Sequence, residues 1–225
     1  MQCSKCRQDA IHYQPYSGQY LCEAHLVADI ETKAKRTIRQ QKGMQTGDHI
    51  AVILTGDPAE NALLFFLQNL TGKRRDIRVS GIVGDGPKNP VSAVIRAGTT
   101  RIAWATTLED CSAAILAGIF RGEPMTGIRA RPEETGTLPV IAPFCHIPSS
   151  EIALYSQIHG LEAGTVPAAQ ENDSLYEDVK TLLGAYTLRH PAAPHAILNL
   201  GEMISAAQEP DTGQHTHRTV DEETR

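Results

Sequence analysis

No stretch of this sequence approaches the roughly 20 consecutive apolar residues that cross a membrane, and its first residues lack the apolar core of a secretory signal. Both absences lead to the expectation of a cytoplasmic protein with no membrane partner. An excess of positive charge is missing too: 21 Lys and Arg stand against 26 Asp and Glu, for a formal net charge of -5. That balance argues against a strongly basic nucleic-acid binder, although a local basic face remains compatible with it. Aromatics are scarce, at 5% of 225 residues, yet a hydrophobic content of 41% is enough for a sizeable core. The length suits one α/β domain with a small appendage. An even set of cysteines spread along the chain is also absent. There are five, three of them within the first 22 residues, so a secreted disulfide framework is not expected.

What is present begins with those cysteines. Cys3 and Cys6 form one C-x2-C pair, and Cys22 and His25 follow as C-x2-H. Each pair is spaced to close a small knuckle, and together they supply four ligands for a tetrahedral Zn2+. Four protein ligands leave no open coordination position, so the expected zinc is structural. Between the pairs, "AIHYQPYSGQYLC" reads as a β-hairpin turning at Ser17 and Gly18, with His12 on its surface. A segment of this size cannot build a core alone, and metal is the usual remedy.

A helix follows, with Leu26, Val27, Ile30, Ala34 and Ile38 on its apolar face. Its other face carries Lys33, Lys35, Arg36, Arg39 and Lys42, which suit either a solvated surface or contact with a phosphate backbone. The expected organisation is a zinc finger over residues 1–27, a basic linker helix over 28–46, an α/β domain over 47–205 and a disordered tail over 206–225. The tail is too poor in apolar residues to fold alone, and its His215 and His217 offer at most weak metal binding.

From His49 the chain alternates apolar runs with amphipathic stretches. "IAVILTG", "DIRVSGIVGDG" and "RIAWATT" read as strands, and "LPVIAPFCHI" as an extended segment. "PAENALLFFLQNL", "NPVSAVIRAG", "LEDCSAAILAGIFRGE" and "SSEIALYSQIHGL" read as helices. This alternation predicts a parallel sheet covered on both faces, with ligands beyond the carboxyl ends of its strands. The turn of Thr55, Gly56, Asp57, Pro58, Ala59 and Glu60 lies at such an end. Free amides at a helix N-terminus would hold phosphate there. Instead, Asp57 is a good N-cap, Pro58 fits the first helical position and Glu60 the third, resembling a capping box in which carboxylates take the amides. No Lys is near in sequence. Binding of a nucleotide by its base and ribose alone stays open.

These residues together resemble the tRNA 2-thiolation family, PP-loop ATP pyrophosphatases of the adenine nucleotide alpha-hydrolase-like type. Such proteins activate a uridine with ATP before sulfur insertion. The resemblance runs over roughly residues 1–205 and places Cys3, Cys6, Cys22 and His25 in the ligand positions of the family's zinc finger. It implies an α/β, Rossmann-like fold of the HUP or PP-loop type, with a parallel sheet and helices on both faces. "AVILTGDPAE" lies where the family reads Ser-Gly-Gly-Lys-Asp-Ser; Thr55 and Gly56 fit, while Asp57, Pro58, Ala59 and Glu60 do not. Leu108, Glu109, Asp110, Arg121 and Gly122 keep a second motif, from which Trp104, Ala105, Thr106 and Thr107 depart. Glu109 and Asp110 either hold Mg2+ or simply complement a helix dipole. Pro143, Glu151, Tyr155 and Gly160 keep a third motif, where Ala142 replaces the usual Arg.

The family's Cys-x-x-Cys ahead of the "IAWATT" strand is missing, Val166 stands where a further Cys precedes Pro167, and the second zinc finger is not seen. Cys111 and Cys145 lie in apolar surroundings that suit inert thiols. The resemblance therefore implies a degenerate, non-catalytic homologue: structural Zn2+, no ATP, no iron–sulfur cluster, and a binding or scaffold role toward tRNA or a paralogous subunit, as a homo- or heterodimer. The alternatives are an enzyme still working in tRNA thiolation by a modified route, and a subunit of an unrelated complex.

Overall fold

A computed structural model describes residues 1–41, 43–83, 97–123, 138–161 and 173–208. The chain opens on an antiparallel hairpin of β1 (His12–Gln14) and β2 (Gln19–Leu21), turned at Gly18, whose φ of 68° favours glycine. Helix α1 (Glu23–Gln40) starts directly after Cys22, so His25 sits in its first turn. Leu26, Ile30, Ala34 and Ile38 recur every four residues along it and are all buried. Each Leu or Ile so buried stabilises the fold by about 1.5–3 kcal/mol. That ridge packs into the same core as the sheet, so finger and α/β domain share one hydrophobic interior.

The sheet has four strands in the order β4-β3-β5-β6, all parallel: β3 (His49–Leu54), β4 (Arg78–Val83), β5 (Arg101–Ala103) and β6 (Val140–Ile141). Helix α2 (Pro58–Thr71) links β3 to β4, and α3 (Leu108–Arg121) lies between β5 and β6. Three more helices follow: α4 (Ser149–Ile158), α5 (Ser174–Thr187) and α6 (Ala193–Gln208). The expected Rossmann-like parallel sheet with packed helices is what forms, joined to an N-terminal Cys/His finger.

Side chains alternate across the pleat. Ile50, Val52, Ala103 and Ile141 face α1, α2 and α4, while Ala51, Ile53 and Ile102 bury themselves on the opposite face. A third layer forms where α3 meets α5 and α6 through Ala113, Ala117, Val179, Leu183 and Leu198.

Two elements differ from the sequence expectation. "LPVIAPFCHI" is extended only at Val140–Ile141, because Pro143 removes an amide donor and the chain then turns, with Cys145 N donating to Ala142 O and Ile147 N to Phe144 O. "RIAWATT" pairs only over Arg101–Ala103. Most of the expected helix "NPVSAVIRAG", the Val166–Pro167 step and most of the expected tail, with His215 and His217, lie outside the described residues. No helix among the described residues is long and apolar enough to cross a membrane.

Phe66 of α2 is 1% exposed and packs on Phe144, with ring centroids 5.9 Å apart. Phe66→Ala should therefore destabilise the protein by about 3–5 kcal/mol in denaturant titration. A loss under about 1 kcal/mol would show that this contact does not anchor the core.

Candidate functional site

The finger brings its four predicted ligands together. Cys3 Sγ lies 3.6 Å from His25 Nδ1, Cys6 Sγ 3.7 Å from Cys22 Sγ, and Cys22 Sγ 3.2 Å from His25 Nδ1. One donor atom from each residue falls within 4.8 Å of all the others. Metal–sulfur bonds of about 2.3 Å in a tetrahedron give sulfur–sulfur edges of about 3.8 Å, so this spacing fits a metal centre. Local chemistry explains the convergence. The hairpin returns Cys22 beside the first knuckle, with Ile11 N donating to Leu21 O and Ser4 N to Tyr20 O, and α1 then carries His25 one turn further. Lys5 N donates to Cys3 Sγ at 3.4 Å, an interaction that favours a thiolate.

The candidate nucleotide turn is closed by its own side chains. Asp57 Oδ1 accepts from Ala59 N at 2.8 Å, as an N-cap should. Glu60 does not complete the expected capping box. Its Oε2 reaches past Asp57 to accept from Thr55 N at 2.6 Å and Gly56 N at 3.0 Å, and its Oε1 accepts from Thr55 Oγ1 at 2.7 Å. Gly56, at φ 109°, turns its amide toward that carboxylate. Glu60 is 8% exposed, so its charge is held under the turn and out of solvent.

Two more helix N-termini converge here, each with a carboxylate. Asp110 Oδ2 accepts from Thr107 N and Thr107 Oγ1 at the start of α3, and Glu109 Oε2 accepts from Ser149 N at the start of α4. A cavity of about 230 Å3 lies between them, lined by Asp57, Pro58, Glu109, Asp110, Ser149 and Lys180 among others. Lys180 is the cation that the turn's sequence lacks. It comes from α5 and donates to Asp110 Oδ1 at 2.8 Å. Burial pushes the Asp110 carboxyl up, but Lys180 and Thr107 outweigh it and hold the group below the usual carboxylate range. No local motif announces Lys180, because its role depends on how α5 packs on α3.

The basic face of α1 divides. Lys33 pairs with Asp29 at 2.7 Å and Glu151 at 3.6 Å, and Lys35 with Glu31 at 2.7 Å. Arg36 and Arg39 are exposed and make no ion pair among the described residues. Cys111 and Cys145 share a buried cluster with Leu108, Ile115 and Leu198. Hydrogen bonding to Cys111, and then His146, draws the Cys145 thiol down, while Cys145 and burial push the Cys111 thiol up.

The Cys/His finger and the parallel sheet each have counterparts among known proteins. Residues 2–27 match the family model of the N-terminal LIM domain of 2-thiouridine synthetase TtuA. The tRNA 2-thiolation protein NcsA of Haloferax volcanii is 19% identical, over 88% of this chain and 85% of that one. U34-tRNA thiolase NcsA from Methanococcus maripaludis, solved with its 4Fe–4S cluster, superposes with a TM-score of 0.79 at 15% identity. That match covers 98% of this chain and 94% of that one. The chain is thus similar to tRNA 2-thiolation proteins over most of its length, and its residues 2–27 match a TtuA-type N-terminal domain.

These findings correct the expected cofactors. Structural zinc with no ATP and no iron–sulfur cluster does not stand as a set, because a protein of this fold carries a 4Fe–4S cluster. Thiolates such as Cys3, Cys6 and Cys22 are the donors that clusters use. The donor types of this group suit zinc and iron–sulfur chemistry alike.

Anaerobically purified protein should retain metal, read as zinc and iron per chain together with visible absorption. Cys22→Ser should lower the total severalfold and loosen residues 1–25, with the sheet still folded. Full metal occupancy in Cys22→Ser would exclude this centre.

Proposed function

We propose that this protein works in tRNA 2-thiolation in the cytoplasm, by a route altered at the nucleotide step. Its metal finger and its likeness to the NcsA proteins over most of both chains support the process. The observation that carries the altered route is the Glu60 carboxylate on the amides of Thr55 and Gly56.

A phosphate arriving at that turn must displace Glu60. Each hydrogen bond to a charged group contributes about 1.5–3 kcal/mol. A like charge held 4 Å away costs on the order of 4 kcal/mol at an effective dielectric near 20. Helix dipoles return only about 0.3–1 kcal/mol per charge. Glu60 therefore acts as a latch on the phosphate seat, and Lys180 supplies the positive charge across the cavity. ATP, where it enters, opens the latch or leaves its phosphates outside the turn. A 4Fe–4S cluster or a single metal ion, when bound at Cys3, Cys6, Cys22 and His25, would supply thiolate-held metal chemistry or a structural brace. Arg36 and Arg39 are the proposed contacts for the tRNA backbone.

The same latch favours a second reading, a non-catalytic subunit that binds tRNA or a paralogous partner, as a homo- or heterodimer. Removing the gene and measuring 2-thiouridine in total tRNA by mass spectrometry tests the process. The modified base should fall and return with the unaltered gene; an unchanged level would refute the proposal. Calorimetry tests the latch: Glu60→Ala and Glu60→Gln should each bind ATP–Mg2+ at least tenfold more tightly than the unaltered chain. Equal affinities would show that Glu60 does not guard the seat. Thiolation of tRNA by the purified protein with ATP and a sulfur donor would separate enzyme from subunit.

A further inference from the structure

We propose that the cleft between the finger and the C-terminal helices is a nucleobase pocket, separate from the 55–60 turn. Its RNA source rests on the tRNA reading above, whereas its chemistry does not.

The cleft has a volume of about 500 Å3, within the roughly 300–1,000 Å3 that small-ligand sites occupy. Tyr16 of the finger, Glu151 of α4, Leu183 and Gly184 of α5 and His195 of α6 line it, with prolines 15, 148, 191 and 194 stiffening the wall. The lining surface is mostly apolar, and two polar atoms of its lining residues are unpaired. Glu151 is fully buried, and its Oε1 is satisfied by Gln14 Nε2 at 3.1 Å and Tyr16 Oη at 2.5 Å. Its Oε2 has no hydrogen-bond donor; Lys33 Nζ stands 3.6 Å away, an ion pair beyond hydrogen-bond length. His195 Nδ1 is likewise buried without a partner. An orphaned buried polar group costs about 1–3 kcal/mol, and both of these atoms belong to residues that line this one cleft.

The missing partners have a definite chemistry. A carboxylate oxygen lacks an N–H donor. Burial first, then Lys33 and His146, hold the His195 imidazole down to about 4, so it is neutral at pH 7 and offers a donor or an acceptor according to its tautomer. The Tyr16 and His195 rings lie 4.5 Å apart at 36°, giving the cleft a flat aromatic side. A planar ring bearing N–H and carbonyl groups on one edge meets all three demands: stacking, an N–H for Glu151 Oε2 and a polar edge atom for His195 Nδ1. That describes a nucleobase. Glu109, Ser149 and Lys180 line both this cleft and the smaller cavity at the turn, so a base seated here is next to the closed phosphate seat.

Gly184 makes the test clean. It lines the cleft from within α5, and a Cβ built on it meets nothing within 4 Å. Gly184→Leu should fill the pocket and, as a better helix former, hold or raise Tm. Calorimetry on the full chain uses two probes: free uridine, cytidine or guanosine, and an unmodified tRNA transcript. At least one nucleoside or the tRNA should bind, and Gly184→Leu should weaken that binding tenfold or more. Loss of nucleoside binding alone assigns the pocket to free bases, and loss of tRNA binding to a base presented by RNA. No binding of either probe, or equal binding by Gly184→Leu with Tm retained, overturns the pocket. A strain with unchanged 2-thiouridine but intact Gly184-dependent binding would refute the thiolation proposal and leave the pocket standing.

Discussion

The Glu151 carboxylate ties the N-terminal finger to the α/β domain across more than a hundred residues of sequence. It is fully buried at the start of α4 and accepts from Gln14 and Tyr16 of the finger, with Lys33 of α1 beside it. Gln14 also donates to Asp29, and Lys33 to Tyr16 Oη, so finger, α1 and α4 form one polar network around the Glu151 carboxylate. A buried charge that loses its partners costs about 3–5 kcal/mol. The network therefore fixes where the finger sits on the α/β domain. It also engages Lys33, leaving Arg36 and Arg39 as the unpaired cations of that helix among the described residues.

A second constraint governs the carboxyl ends of the strands. Carboxylates accept from donors at or just before the starts of α2, α3 and α4: Glu60 and Asp57, Asp110, and Glu109 respectively. Helix dipoles favour such placements weakly, and the hydrogen bonds make them firm. The electrostatic consequence is a cluster of carboxylates at helix starts, of which Asp110 is paired with Lys180. This is why the likeness to thiolation proteins and the altered turn are compatible. The scaffold is shared, while the amides of Thr55 and Gly56 are taken by the Glu60 side chain.

The convergence of Cys3, Cys6, Cys22 and His25 was legible in residue spacing alone, because C-x2-C and C-x2-H close small rings whose geometry depends on neighbouring residues. The strand, turn and helix around Thr55–Glu60 were legible for the same local reason, as was the apolar ridge of α1. Cofactor identity was not, since thiolate and imidazole donors serve more than one metal chemistry. The reach of Glu60 was misjudged: a capping box is a local pattern, but its carboxylate went to two amides that Gly56 had turned toward it.

Spacing and periodicity thus determined the ligands, the parallel α/β order and the family likeness, since each is set by residues a few positions apart. Tertiary structure alone decided that Lys180 would meet Asp110 across 70 residues, that Glu151 would meet Gln14 across 137, and that two half-satisfied side chains would share a cleft. Those contacts depend on how helices dock on one another. Docking is settled by the summed packing of many apolar side chains, which no short stretch of sequence contains.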